Sequence, residues 1–284
     1  MSDSSPRRDT WKKFRGNRNA VLGSIIVLFV VLVATLSGVI APHDYSDTSL
    51  WDVWSPPGGE FVLGADELGR DILSRLIVGA RVSLTIAGIV LAITMTVGIT
   101  LGMLAAYHGG WLDTIIMRTV DVIFAFPELI FAILIAAVLG PGTTSVIVAL
   151  SLVWWPGIAR LTRSLALSVR GELFVDAARV AGTPSYVILW RHILPNIMAP
   201  LIVRASIGVG FIITAEATLS FLGIGVQEPL PSWGGMIRDG LSSLRLDPYL
   251  AMFSSCALGI TIIGFNLLGD GLRDVFDPRA EGRR

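Results

Sequence analysis

The chain is poor in the residues that build most active sites. Of 284 residues, one is cysteine and three are histidine. The lone Cys256 excludes an internal disulfide and any cysteine-cluster metal site. It lies in an apolar run, and its simplest reading there is a small buried side chain. Of His43, His108 and His192, His43 has no partner at metal-ligand spacing, and His192, next to Ile193, reads as structural. There is no G-x-x-x-x-G-K-[ST] phosphate loop, no H-E-x-x-H and no G-x-S-x-G. Charge is scarce as well. Charged residues make up 15% of the chain, against about 25% in soluble domains. The net charge is zero, so there is no global basic field for nucleic acid.

What is abundant is apolar length. Hydrophobic residues make up 53% of the chain. Six stretches approach or exceed the roughly 20 residues that cross a bilayer: Ala20–Ala41, Val82–Tyr107, Thr114–Leu139, Thr143–Leu161, Ile197–Gly223 and Leu250–Leu268. The fold class expected is an all-α polytopic membrane protein with six transmembrane helices. The first stretch follows Arg7, Arg8, Lys12, Lys13, Arg15 and Arg18 and is too long for a signal-peptide core, so it reads as an uncleaved anchor. Those basic residues put the N-terminus in the cytoplasm. Six crossings return the C-terminus, with Arg273, Arg279, Arg283 and Arg284, to the same side. The outer segments hold only Arg70, Arg75, Arg81, Arg238 and Arg245. The chain then divides into a basic cytoplasmic N-terminus (1–19), a first transmembrane helix (20–41), an external segment (42–81) and a five-helix core (82–284). Trp51, Trp54 and Trp233, on the outer segments, suit the membrane interface.

Within the core lies a polar insert, 164–196. Phe174, Ala177, Ala178 and Ala181 fall at i, i+3, i+4 and i+7, one face of a helix. Three alanines make that face shallow, open to a closely approaching partner. Asp176 lies early in the helix, where the dipole favours negative charge, and Gly182 ends it. Thr183 and Pro184 then read as N-cap and first turn of a second short helix, which Pro195 stops. On spacing alone, this is equally a generic hairpin loop.

A second signature is LGADELGRDILSRLIVGARVSL, Leu63 to Leu84. Asp66 to Gly79 reads as a short interfacial helix with Leu68, Ile72 and Leu76 on one face. Asp66, Arg70, Asp71 and Arg75 interleave opposite charges, which reads as a solvated face with a local i,i+4 pair. Inside the spans, Glu128 and Glu216 have two open readings: a place on a translocation path, or polar contacts that hold the bundle together. Asn266 and Asp270 are placed to tie helix ends together. Gly98 with Gly102, and Ala132 with Ala136, are small residues four apart, a spacing that lets helices approach closely in lipid.

The insert resembles the "EAA" loop of ABC-importer permeases, through Asp176, Ala177, Ala178, Gly182, Ile193, Leu194 and Pro195. Asp176 stands where that family more often has glutamate. The Leu63–Leu84 string is similar to a segment of the dipeptide, oligopeptide and nickel ("C-type") permeases, with Ala65 in place of the usual threonine. Ala125–Gly142, Thr214–Ile237 and Phe265–Arg279 extend the resemblance nearly end to end. It implies a type I ABC-importer permease fold in a prokaryotic inner membrane. It implies a non-catalytic subunit that forms half of a translocation path for dipeptides or oligopeptides. The implied partners are a homologous permease subunit, two ATPase subunits that bind ATP and magnesium, and an extracytoplasmic solute-binding protein. No cofactor is expected on this chain, and the insert would dock into the ATPase. A nickel or other small-solute permease of the same family is the alternative cargo reading. A secondary transporter or channel without ATPases is the alternative class.

Overall fold

The structure is a computed structural model that describes residues 6–276. The C-terminal Arg279, Arg283 and Arg284 therefore lie outside the described residues. Among those residues the regular elements are all helical, with only two isolated β-bridges, Gly58 with Phe61 and Ala65 with Asp71.

The N-terminal helix α1 (Pro6–Gly16) leads into α2 (Arg18–Thr35), capped by the Asn17 side chain on the Ala20 amide. A short α3 (Ser37–Ile40) continues the same apolar run past Leu36. The outer segment follows, and then α4 (Ile72–His108), 37 residues long. The short helix expected over Asp66–Gly79 is absent. Residues 66–71 form turns, and helix begins at Ile72 because Asp71 caps it, accepting from the Ser74 amide at 2.9 Å. From there the helix runs unbroken into the span.

The third apolar stretch is two helices, α5 (Gly110–Phe124) and α6 (Glu128–Leu139), bent by 89°. Pro127 sits at the corner, where its missing N–H and its ring oppose a continuous helix. Among the described residues, five helices are long and apolar enough to cross a membrane, or six if this bent pair is one span. Helix α7 (Thr143–Arg170) packs along α4. The insert carries α8 (Leu173–Val180) and the single turn α9 (Ser185–Val187). A π-helical turn (Ile188–Ile193) then feeds α10 (Leu194–Phe221). The second outer segment contains α11 (Trp233–Ser242), and α12 (Tyr249–Phe276) packs against α2 and α10.

Small residues set the closest approaches. A Cβ on Gly102 would lie 2.5 Å from the Ala159 carbonyl oxygen, so α4 and α7 touch backbone to backbone there. Ala132 and Ala136 are fully buried in the cluster that joins α4, α6, α7 and α10. Gly23 plays the corresponding part between α2 and α12, where a Cβ would meet the Leu268 amide nitrogen at 2.3 Å. Cys256 is exposed on α12, not buried as its apolar surroundings suggest. On a lipid-facing helix, apolar neighbours do not imply an inward position.

Candidate functional site

The insert is a built structure. The end of α8 is tied off by two hydrogen bonds: the Gly182 amide to the Arg179 carbonyl (2.9 Å) and the Thr183 amide to the Ala178 carbonyl (3.0 Å). This pair needs a left-handed residue between them, and Gly182 supplies it at φ +74°. Asp176 lies in the first turn and pairs with Arg179 at 3.0 Å. Pro184, and not Thr183, caps the next turn.

Pro195 does not stop the chain. It occupies the first turn of α10, where a helix has no partner for the missing N–H. The wide π turn before it carries the helix past that position. The helical run from Ser185 to Phe221 is therefore one 37-residue rod.

Val175 is the anchor of α8, with no exposed surface. It packs in a cluster with Met103, Ala166, Ile188, Leu189 and Ile193. Ala178 and Leu194 lie half-buried against the same cluster. Arg170 donates to the Ala106 carbonyl at 2.7 Å, and the Arg179 guanidinium lies over the Tyr107 ring. Both contacts hold the insert to the end of α4. Phe174, Asp176, Ala177, Ala181, Gly182 and Pro195 are exposed. So are Leu173 (86%) and Val180 (91%), with Tyr186 and Trp190 beside them. The sequence reading missed Val175, Leu173 and Val180. Three apolar residues placed around one short helix were the available sign that one is an anchor and the others are bare.

At the opposite end, Asp66, Arg70, Asp71 and Arg75 are all buried, not a solvated face. Asp66 accepts from the Leu68 amide (2.9 Å), the Arg70 amide (3.0 Å) and Arg70 Nε (2.7 Å). Arg75 Nε lies 3.4 Å from the same carboxylate. Both arginines also reach Glu228, half-exposed, at 3.0 and 3.4 Å. Residues 43–65 fold over the group: Trp54 donates its amide to the Asp66 carbonyl, and Arg75 Nη1 reaches the Tyr45 carbonyl. Trp233 is 2% exposed and donates Nε1 to the Leu76 carbonyl, so it is a core residue and not an interfacial one. Trp51 is almost fully exposed. Glu67, at the edge of this cap, has its carboxyl pushed above the usual range by burial and by Asp239, Asp66 and Glu228, against the pull of Arg70.

Glu216 is fully buried and accepts from Ser83 of α4 (2.9 Å) and Ser220 (2.8 Å). It therefore bridges α4 and α10. Glu128 is exposed at the start of α6, and Arg204 of α10 acts on it through charge. Asp121 pairs with Arg160 and stands 3.9 Å from Arg118; Asp113 pairs with Arg163. These pairs tie α5 to α7. The helix-end tie at the last span is made by Asp274 with Asn17 at 2.9 Å, not by the exposed Asn266 or Asp270.

Residues 98–282 match the family described as binding-protein-dependent transport system inner membrane component. Residues 5–57 match the N-terminal TM domain of oligopeptide transport permease C. The chain is 38% identical to the dipeptide transport system permease protein DppC of Alkalihalophilus pseudofirmus, over 97% of this chain and 90% of that one. It is 39% identical to the glutathione transport system permease protein GsiD of Pectobacterium atrosepticum, over 97% and 92%. Among solved structures it resembles the inward-facing MetNI methionine ABC transporter, with TM-score 0.57 at 17% identity, covering 72% of this chain and 98% of that chain. The last likeness speaks for the fold alone.

Proposed function

Because the chain belongs to the binding-protein-dependent transport inner membrane component family, as a multi-pass permease subunit of an ABC importer, we propose that it carries short peptides and is driven through its insert. The relatives named for dipeptide and glutathione transport support that cargo class, since glutathione is itself a small peptide. In this reading the chain forms half of the path with a homologous permease subunit. Two ATPase subunits supply ATP and magnesium chemistry from the cytoplasm, and a solute-binding protein delivers cargo from outside. The chain itself does no catalysis, and both termini are cytoplasmic.

The observation that carries the proposal is the anchored helix α8. Val175 fixes it from below, while Leu173, Phe174, Ala177, Val180 and Ala181 stay uncovered. Bare apolar surface on a rigidly capped helix is what a docking element needs. The rod from Ser185 to Phe221 then links this surface to Glu216, and Glu216 to α4. A nucleotide shifts the transporter between states only by its differential affinity for them. Moving the balance from 1:99 to 99:1 takes about 5.5 kcal/mol. A handle that yields would waste that difference, so the cap at Gly182 matters.

Gly182→Pro tests this. Proline cannot adopt φ +74°, and it removes the amide that donates to Arg179. The expected result is loss of labelled dipeptide uptake with membrane insertion intact. Gly182→Glu should do the same by placing a charge on the docking face. Uptake at the normal rate in both variants would remove the insert from the mechanism. Cross-linking from Ala178→Cys or Ala181→Cys should capture an ATPase subunit.

A further inference from the structure

A groove of about 610 Å³ runs between α2 and α4. Its walls are Val31, Ala34 and Val39 on one side and Leu84 and Gly88 on the other, with Val209 and Phe265 at its floor. Gly38 and Gly88 leave it deep, since a Cβ on either would meet nothing within 4 Å. Two polar groups break this apolar lining. Arg81 is exposed, and among the described residues it has no ion pair or hydrogen bond. Thr85, one turn further along α4, has no hydrogen-bond partner among the described residues, whereas Thr35 across the groove bonds back to the Val31 carbonyl.

Arg81 is the last charged residue before the apolar run that begins at Val82, and it stands level with the end of α2. The groove thus has a cationic mouth at the membrane–water boundary and an apolar trough below it. An arginine at that depth needs an anion or water. The exposed face of α2 and the α3 turn after it offer none: Leu28, Leu32, Leu36 and Val39 are all aliphatic. A helix of another subunit would have to carry an acid into the bilayer margin to match it. A phospholipid brings a phosphate to that level by construction, with a chain to fill the trough.

We propose that this groove is a binding site for one anionic phospholipid, with its phosphate on Arg81 and Thr85 and an acyl chain laid between α2 and α4. An anionic headgroup fits better than a zwitterionic one, because a zwitterionic lipid carries its own ammonium to compete with Arg81.

The test uses the chain purified with the subunits that accompany it, titrated with phosphatidylglycerol or phosphatidylcholine and read by native mass spectrometry. The native complex should retain one phosphatidylglycerol that Arg81→Gln binds about tenfold more weakly, the loss expected of one charge-assisted contact. Arg81→Lys should keep it. Gly88→Leu, which the open space tolerates, should expel it by filling the trough. Equal retention in native and Arg81→Gln complexes would overturn the proposal. So would displacement by inorganic phosphate, which would make this a free-anion site. Dissociation of a sister permease from Arg81→Gln would overturn it too, by making the face a subunit interface.

Discussion

Replacing Asp66 with alanine should open the outer cap while leaving the bundle closed. Among the described residues, Asp66 is the one buried carboxylate that touches both buried arginines. It also holds the Leu68 and Arg70 amides, which fix the turn that starts α4. Without it, Arg70 and Arg75 share only Glu228, whose side chain is 48% exposed and correspondingly screened. Breaking a buried ion pair by removing one partner costs about 3–5 kcal/mol. At about 1.4 kcal/mol per decade, local opening becomes roughly two to three and a half orders of magnitude more frequent. Hydrogen exchange reads this directly, because each segment reports its own opening free energy. Peptides spanning 43–71 and 226–247 should exchange faster by that factor, and peptides from α7 should not change. Asp66→Asn, which keeps an acceptor for the two amides but loses the charge, should fall between. Unchanged exchange over 43–71 in Asp66→Ala would refute the reasoning, and so would equal acceleration in α7.

The same cap has a pH signature. Glu67 takes up a proton more readily in the fold than in the open chain, where its value is near 4.5. The stability it contributes is therefore full below that ordinary value and is lost as pH rises through the raised one. Glu67→Gln should abolish this dependence and tighten the cap at neutral pH, measured by exchange of the same peptides from pH 4.5 to 8. Gly102→Leu should sharply reduce the yield of assembled complex, because a Cβ there meets the Ala159 carbonyl; quantitative blotting of membranes checks this against Gly88→Leu. Glu216→Gln should retain peptide uptake, since the amide can accept from one serine through Oε1 and donate to the hydroxyl oxygen of the other through Nε2. Glu216→Leu should lower the protein level by leaving the Ser83 hydroxyl buried and unsatisfied, at about 1–3 kcal/mol. Loss of uptake in Glu216→Gln at normal protein level would instead put the acid on the translocation path.

Local chemistry was readable from the chain, and long-range company was not. Gly182 announces its left-handed cap because no other residue adopts it cheaply, and Asp66 with Arg70 announces a pair because they stand four apart. The burial of that pair depends on Tyr45, Trp54 and Glu228, the last more than 150 residues away, and no local pattern encodes it. Pro195 misleads for a related reason: the π turn that accommodates it is a property of the path from Ile188, not of the proline. Cys256 lies outside because the usual rule, apolar inside, has no force where the solvent is lipid, and Trp233 lies inside because the Leu76 carbonyl on α4 satisfies its N–H. In such a chain hydropathy locates the helices but not their inward faces. The inward faces are marked by what lipid cannot satisfy or a neighbour cannot clear: Glu216 with its two serines, and the glycines at 23, 98 and 102. Arg81, exposed and unpaired among the described residues, is the inverse case, a charge on a face that no described part of this chain covers.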